Sequence, residues 1–125
     1  MAIAGLGTDI VQISRIERSL ARGPALAERV LTPVELADYL AHTQPARFLA
    51  KRFAAKEAAA KALGTGIGRG VSWQQFQIDH DELGAPLLRC TGFSEQLLQQ
   101  RQITNCWLSI SDEQDYACAT VILER

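Results

Sequence analysis

RFLAKRFAAKEAAAKALGTGIGR, Arg47 to Arg69, holds six of the chain's thirteen Lys/Arg and only one of its fourteen Asp/Glu. Pro45 just upstream opens a helix, because a first-turn proline gives up no hydrogen bond there, and Gly64 stops it after Leu63. This is the longest helix the sequence predicts. Beyond its glycines the apolar period changes from helical to two. The protein as a whole is nearly neutral, at a formal net charge of −1. Positive charge gathered on one helix and its loop, in a chain otherwise rich in acid, suits a site that holds an anion. Glu57, alone in that field, is then best explained by a metal ion shared with the anion.

Working outward toward the N-terminus, Thr32-Pro33 followed by Glu35 is an N-cap, a first-turn proline and a capping-box glutamate, predicting a helix to about His42. Pro24 opens a shorter helix through Val30. Ile10 to Ala21 carries apolar residues at 10, 13, 16 and 20, which is helical spacing with arginines opposite. Ala2 to Leu6 reads as a short strand running into Asp9. Toward the C-terminus, Val71 to Ile78 alternates weakly and DELGAP, Asp81 to Pro86, is turn chemistry before a strand at Leu87 to Cys90. Phe93 to Gln102 reads as an amphipathic helix with Leu97 and Leu98 inward. Two strands, Cys106 to Ser111 and Tyr116 to Glu124, close the chain, and YACATVIL is apolar enough on both faces to be central and buried. The pattern is α+β, with no repeat or linker.

At 125 residues the chain is large enough for one core, so residues 1–125 are read as a single domain. Apolar and charged fractions of 47% and 22% are those of an ordinary globular protein. No run of about 18 apolar residues occurs, so no membrane span is expected, and the N-terminus has neither the basic nor the long apolar region of a signal peptide. Cys90, Cys106 and Cys118 are odd in number and widely spaced, fitting no disulfide framework and no CxxC metal site. They read as small apolar residues in a reducing cytoplasm. A nucleic-acid interface is disfavoured by the mild acidity, the few aromatics near the basic residues and the alanines on the helix.

Glu57 and Lys61 stand four apart and share a helix face with Phe53 one turn earlier. They could be no more than an exposed ion pair, worth about 0.3–0.5 kcal/mol. Against that, six alanines around them leave room for another backbone or a ligand, and Lys51, Arg52 and Lys56 exceed what one glutamate neutralises. Gly64 to Gly70 is either a helix stop and connector or a backbone contact for a ligand; it lacks the ending of a P-loop and does not open a helix. Asp9 is either an N-cap for the segment after it or a second carboxylate beside Glu57. Two hard carboxylates in a basic surround suit Mg²⁺ and phosphate oxygens better than zinc. His42 and His80 fall outside any ligand spacing.

GLGTDIV near the N-terminus, RFAAKEAAAKALGTGIG in the middle and YACATVI near the end, with ERVLT at Glu28 to Thr32 between them, give the chain its family likeness. In that order they resemble the short bacterial branch of the 4′-phosphopantetheinyl transferases, the holo-[acyl-carrier-protein] synthases, along the whole chain. The resemblance implies a phosphopantetheinyl transferase-like fold: a small antiparallel sheet packed against helices, with one long central helix. It implies transfer of phosphopantetheine from coenzyme A to a serine of apo-acyl carrier protein, releasing 3′,5′-ADP, in fatty acid biosynthesis. Position by position, it makes Asp9 and Glu57 the Mg²⁺ ligands and Lys61 the cation against the pyrophosphate. Arg52, Thr65 and Gly66 fall where the family contacts coenzyme A. Arg15 falls where it grips the carrier protein, with Arg22 and Arg29 as further candidates. Trimers with sites between subunits are implied as well. One departure stands out: many members carry histidine where this chain has Trp107, which has a donor N–H but no lone pair for a proton. The other reading of the basic helix is a non-catalytic coenzyme A or nucleotide-binding module, which has no need of the Asp9–Glu57 pair.

Overall fold

In the computed structural model, which describes residues 1–125, the first strand (β1) runs Ile3–Gln12 rather than ending near Leu6. Its length is set at the other end of the chain. From Gly5 to Gln12 it pairs antiparallel with the last strand, Tyr116–Glu124, in a register that includes Asp9↔Ala119 and Gln12↔Tyr116. That ladder overrides the helical spacing read from Ile10 onward, so helix α1 spans Ile13–Ala21. Asp9 therefore caps nothing; Gln12 occupies the N-cap position and makes no side-chain cap bond.

Helices α2 (Ala25–Val30), α3 (Pro33–Ala41) and α4 (Pro45–Ala62) follow as the caps predict. The capping box forms in both directions: the Glu35 amide donates to Thr32 Oγ1 at 3.3 Å and the Thr32 amide donates to Glu35 Oε1 at 2.9 Å. The weak alternation after Val71 becomes a 3-10 turn at Trp73–Gln75 and then strand β2, Phe76–His80. Asp81 Oδ1 accepts from the amides of Leu83 and Ala85, both at 2.9 Å, and the turn so made leads into β3, Pro86–Cys90. Helix α5 (Gly92–Gln100), β4 (Asn105–Asp112) and β5 (Tyr116–Glu124) complete the chain. No helix is long and apolar enough to cross a membrane.

The strands form two antiparallel sheets, β1-β5-β4 and β2-β3. β5 is central, as its composition suggests, but only one of its faces is fully buried. Ala117, Ala119, Val121 and Leu123 point inward while Cys118, Thr120 and Ile122 are only partly covered. The outward face of the larger sheet also carries Leu6, Ile10, Trp107 and Tyr116, which are 64%, 65%, 57% and 43% exposed.

α4 lies on the inward face, and small residues on both sides let it approach. Ala54, Ala55, Ala58, Ala59 and Ala62 are buried, and a Cβ at Gly5 or Gly7 would overlap the backbone carbonyls of Ala62 and Ala58. The alanines thus admit another backbone, that of β1. At its start α4 is tied to the β4–β5 turn by Arg47, which donates to Asp112 Oδ2 at 2.8 Å and to the Glu113 and Gln114 carbonyls. At its end Arg101 donates to the Leu63 carbonyl at 2.6 Å.

Candidate active site

The long β1 and the close seating of α4 bring together two carboxylates that are 48 positions apart in the sequence, Asp9 and Glu57. Asp9 is on the inward face of β1, two residues beyond Gly7, at the point where α4 crosses. Lys61 Nζ donates to Asp9 Oδ1 at 2.9 Å and to the Thr8 carbonyl at 3.0 Å. The lysine therefore bridges helix to strand, and the simple i,i+4 pair with Glu57 is not formed. Glu57, one turn earlier, has its carboxyl pushed above the usual range, first by burial and second by the negative charge of Asp9, with Lys61 opposing. Two acids that repel one another beside a single shared cation are short of positive charge.

Both carboxylates open into one cavity of about 380 Å³, walled by Val11, Ile16, Leu26 and Phe53. Arg15 lies at its edge. Arg15, Arg18 and Arg22 follow at helical spacing along α1 and all are exposed, so a basic stripe runs away from the cavity. Of this wall the sequence marked only Ile16, by its spacing, and Phe53, by its place one turn before Glu57, since nothing local tells a lining position from a packed one.

Other residues named from sequence sit elsewhere. Arg52 is buried: its guanidinium donates to Glu35 Oε2 at 3.1 Å and to the Ile78 carbonyl at 3.0 Å. Lys56, counted above as surplus charge, is fully buried and donates to the other Glu35 oxygen and to the Val30 carbonyl at 2.7 Å. Two of the six cations in the segment thus serve Glu35, which the sequence marked only as a capping residue. The Ile78 amide completes the cluster by donating to Glu35 Oε2 at 2.9 Å. Arg52 lines a separate basic cavity of about 280 Å³ with Arg47, Lys51, His42 and His80. Gly66, with φ of 63°, donates its amide to the Ala60 carbonyl, and Thr65 Oγ1 donates to the Gly66 carbonyl at 2.8 Å. The glycine loop thus begins where α4 ends. Arg29 stacks over the Trp73 ring, its guanidinium 5.7 Å from the centroid. Arg22 follows the last residue of α1.

The Asp9–Glu57 pair supplies hard oxygen donors only, with no third His, Cys, Asp or Glu beside them. That set fits Mg²⁺, which takes one or two carboxylates and leaves the rest of its shell to phosphate oxygens and water. It does not fit a protein-enclosed zinc site.

The chain belongs to the 4′-phosphopantetheinyl transferase superfamily, whose family model matches residues 5–121. Within it, the chain is 62% identical over 125 residues to the holo-[acyl-carrier-protein] synthase of Shewanella baltica, covering 99% of this chain and 98% of the relative. Its structure is similar to that of the holo-[acyl-carrier-protein] synthase from Neisseria meningitidis, with a TM-score of 0.93 at 45% identity over 99% of this chain and 100% of that one. The Helicobacter pylori holo-[acyl-carrier-protein] synthase, solved in complex with coenzyme A, aligns with a TM-score of 0.83 at 32% identity, over 95% of this chain and 99% of that one.

Proposed function

We propose that this protein transfers the 4′-phosphopantetheine group of coenzyme A to a serine hydroxyl of apo-acyl carrier protein, releasing 3′,5′-ADP, in support of fatty acid biosynthesis. Within the site, the observation that carries the reading is the Asp9–Glu57 pair on one cavity with Lys61 at 2.9 Å from Asp9. A coenzyme A-binding module would gain nothing from two carboxylates facing an anionic ligand.

Asp9 and Glu57 are the residues that would hold Mg²⁺, and the ion, when bound, draws charge from the diphosphate and makes 3′,5′-ADP a better leaving group. Lys61 turns its ammonium toward charge on the non-bridging oxygens. Phosphoryl transfer asks for little beyond such positioning and neutralisation. Thr65 and Gly66, one turn past Lys61, meet coenzyme A. Arg52 gives one guanidinium nitrogen to Glu35 and the Ile78 carbonyl, and meets coenzyme A from the basic cavity that it lines. Arg15 and Arg22, with Arg29 beyond them, face the acidic surface of the carrier protein, and the apolar cavity wall takes the side chains around its serine. Residues 1–125 act as one domain, working in the cytoplasm.

The exposed apolar face of the β1-β5-β4 sheet supports assembly into a homotrimer. Leu6, Ile10, Trp107 and Tyr116 form a broad apolar patch of the kind that marks an interface. Stacking that face on a neighbour sets the neighbour against Ile10, which also lines the cavity of Asp9 and Glu57, so each site lies at a boundary between subunits.

The deciding experiment is mass spectrometry of apo-acyl carrier protein incubated with the protein, coenzyme A and Mg²⁺. A gain of about 340 Da that disappears with EDTA is expected for metal-dependent transfer. Coenzyme A binding without any gain would move the assignment to a binding module.

A further inference from the structure

Glu35 is fully buried, and each of its carboxylate oxygens accepts from two donors. Oε1 takes Lys56 and the Thr32 amide; Oε2 takes Arg52 Nη1 at 3.1 Å and the Ile78 amide. The capping box uses Oε1 alone, so it does not account for the bonds at Oε2. The Arg52 Nη1 that Glu35 holds also donates to the Ile78 carbonyl at 3.0 Å. A third restraint comes from Phe48, whose ring centroid is 4.5 Å from the guanidinium carbon. One nitrogen and one face of the guanidinium are thus fixed. Its Nε and Nη2 bond to nothing in the chain. Neither is sealed in, since Trp73 Nε1 is the one fully buried side-chain nitrogen or oxygen left without a partner. Arg52 lines the basic cavity with Arg47, Lys51 and His80, so these two nitrogens are the ones it has to offer a ligand there.

We propose that Glu35 is a positioning residue for coenzyme A: by holding Nη1 it fixes the Arg52 guanidinium so that Nε and Nη2 face a phosphate group of the substrate side by side. The inference rests on the reading that Arg52 meets coenzyme A. Arginine grips phosphate through paired, coplanar N–H donors, and the pairing works only when the plane is held at the right angle. A loose arginine loses rotamer freedom when it binds, whereas one already held has little left to lose. The hold is rigid because it draws on several elements. Glu35 is in the first turn of α3, Arg52 and Lys56 are on α4, and Ile78 is in β2. Lys56 ties the other oxygen of Glu35 to the Val30 carbonyl at the end of α2.

The test is the steady-state kinetics of transfer by the full chain, with coenzyme A and apo-acyl carrier protein varied in turn. Glu35→Leu combined with Lys56→Met exchanges one buried charge of each sign for apolar side chains, a change that buried pairs often tolerate. Its reference is Lys56→Met alone, which disturbs the same cluster but leaves Glu35 on Arg52. Against that reference, KM for coenzyme A should rise about five- to tenfold, with kcat within about twofold and KM for the carrier protein unchanged. Arg52→Lys is the second variant and leaves Glu35 and Lys56 in place. Its single nitrogen stays with Glu35, so KM for coenzyme A should rise as far although the charge is kept. An unchanged KM for coenzyme A in either variant would overturn the proposal. So would equal rises for both substrates, which is what a merely structural role gives. Absence of transfer by the unaltered protein would instead overturn the proposed function, and this inference with it.

Discussion

Glu57 shows how one side chain can work against the fold that carries it. Burial and Asp9 both penalise its charge, so its carboxylate is less stable in the folded protein than in the unfolded chain at neutral pH. Glu57→Gln should therefore keep or slightly raise the unfolding temperature while transfer falls by about 10²–10³, the range found on removing one charge-stabilising group. Near-normal turnover by the folded variant would take Glu57 out of the metal set. Lys56 is the reverse case. It is fully buried, and its partner Glu35 also holds Arg52 and the Ile78 amide. Lys56→Met leaves a carboxylate half satisfied and should cost about 3 kcal/mol in urea unfolding, the lower end for breaking a buried pair because Arg52 remains. Lys51→Met, at a half-exposed pair 3.7 Å from Asp112, should stay within about 0.5 kcal/mol. Equal costs at the two positions would mean that the cluster stabilises no more than a surface pair does.

At the scale of elements, α3 and α4 were legible because their signals are local: a capping box, a first-turn proline, a glycine stop. β1 was not, because what lengthens it is the ladder to β5, more than 100 positions away, and a local window sees only helical spacing at Ile10 to Ala21. Glu35 was half legible for the same reason. Its cap is local, while Arg52, Lys56 and Ile78 reach it through the tertiary fold. The Asp9–Glu57 pair could be suspected from residue type but not placed until β1 and α4 met. That meeting depends on Gly7. Gly7→Ala would drive a methyl into the Ala58 carbonyl and against Lys61, and should destabilise by about 3 kcal/mol, the top of the usual overpacking range. A variant with unaltered stability would show that α4 can shift. At the end of β2, His80 has its pKa lowered from the ordinary 6.5 by burial and by Arg52 and Lys51, against weaker opposition from Asp79 and Asp81. The folded state thus binds fewer protons than the unfolded chain below about pH 6.5. The contribution is whole above that pH and is lost as pH falls through the lowered value. His80→Asn should flatten the decline in unfolding temperature between neutral pH and pH 5; a parallel decline in both proteins would assign it to other groups.

For the whole molecule, the outward face of the main sheet is the largest piece of unfinished business in the single chain. Composition hid it, because YACATVIL reads as a strand buried on both sides, and in the monomer only one side is. Leu6 is opposite Ile122 on that face. Leu6→Lys should leave the proposed trimer as monomers in sedimentation velocity and lower transfer with it, while circular dichroism stays unchanged. A monomer of full activity would separate assembly from catalysis. A site completed between subunits, as proposed, would also tie output to abundance. Near the concentration at which subunits part, halving the amount of protein removes more than half of the working sites, so a cell that makes this enzyme sparingly loses carrier-protein activation out of proportion to the shortfall.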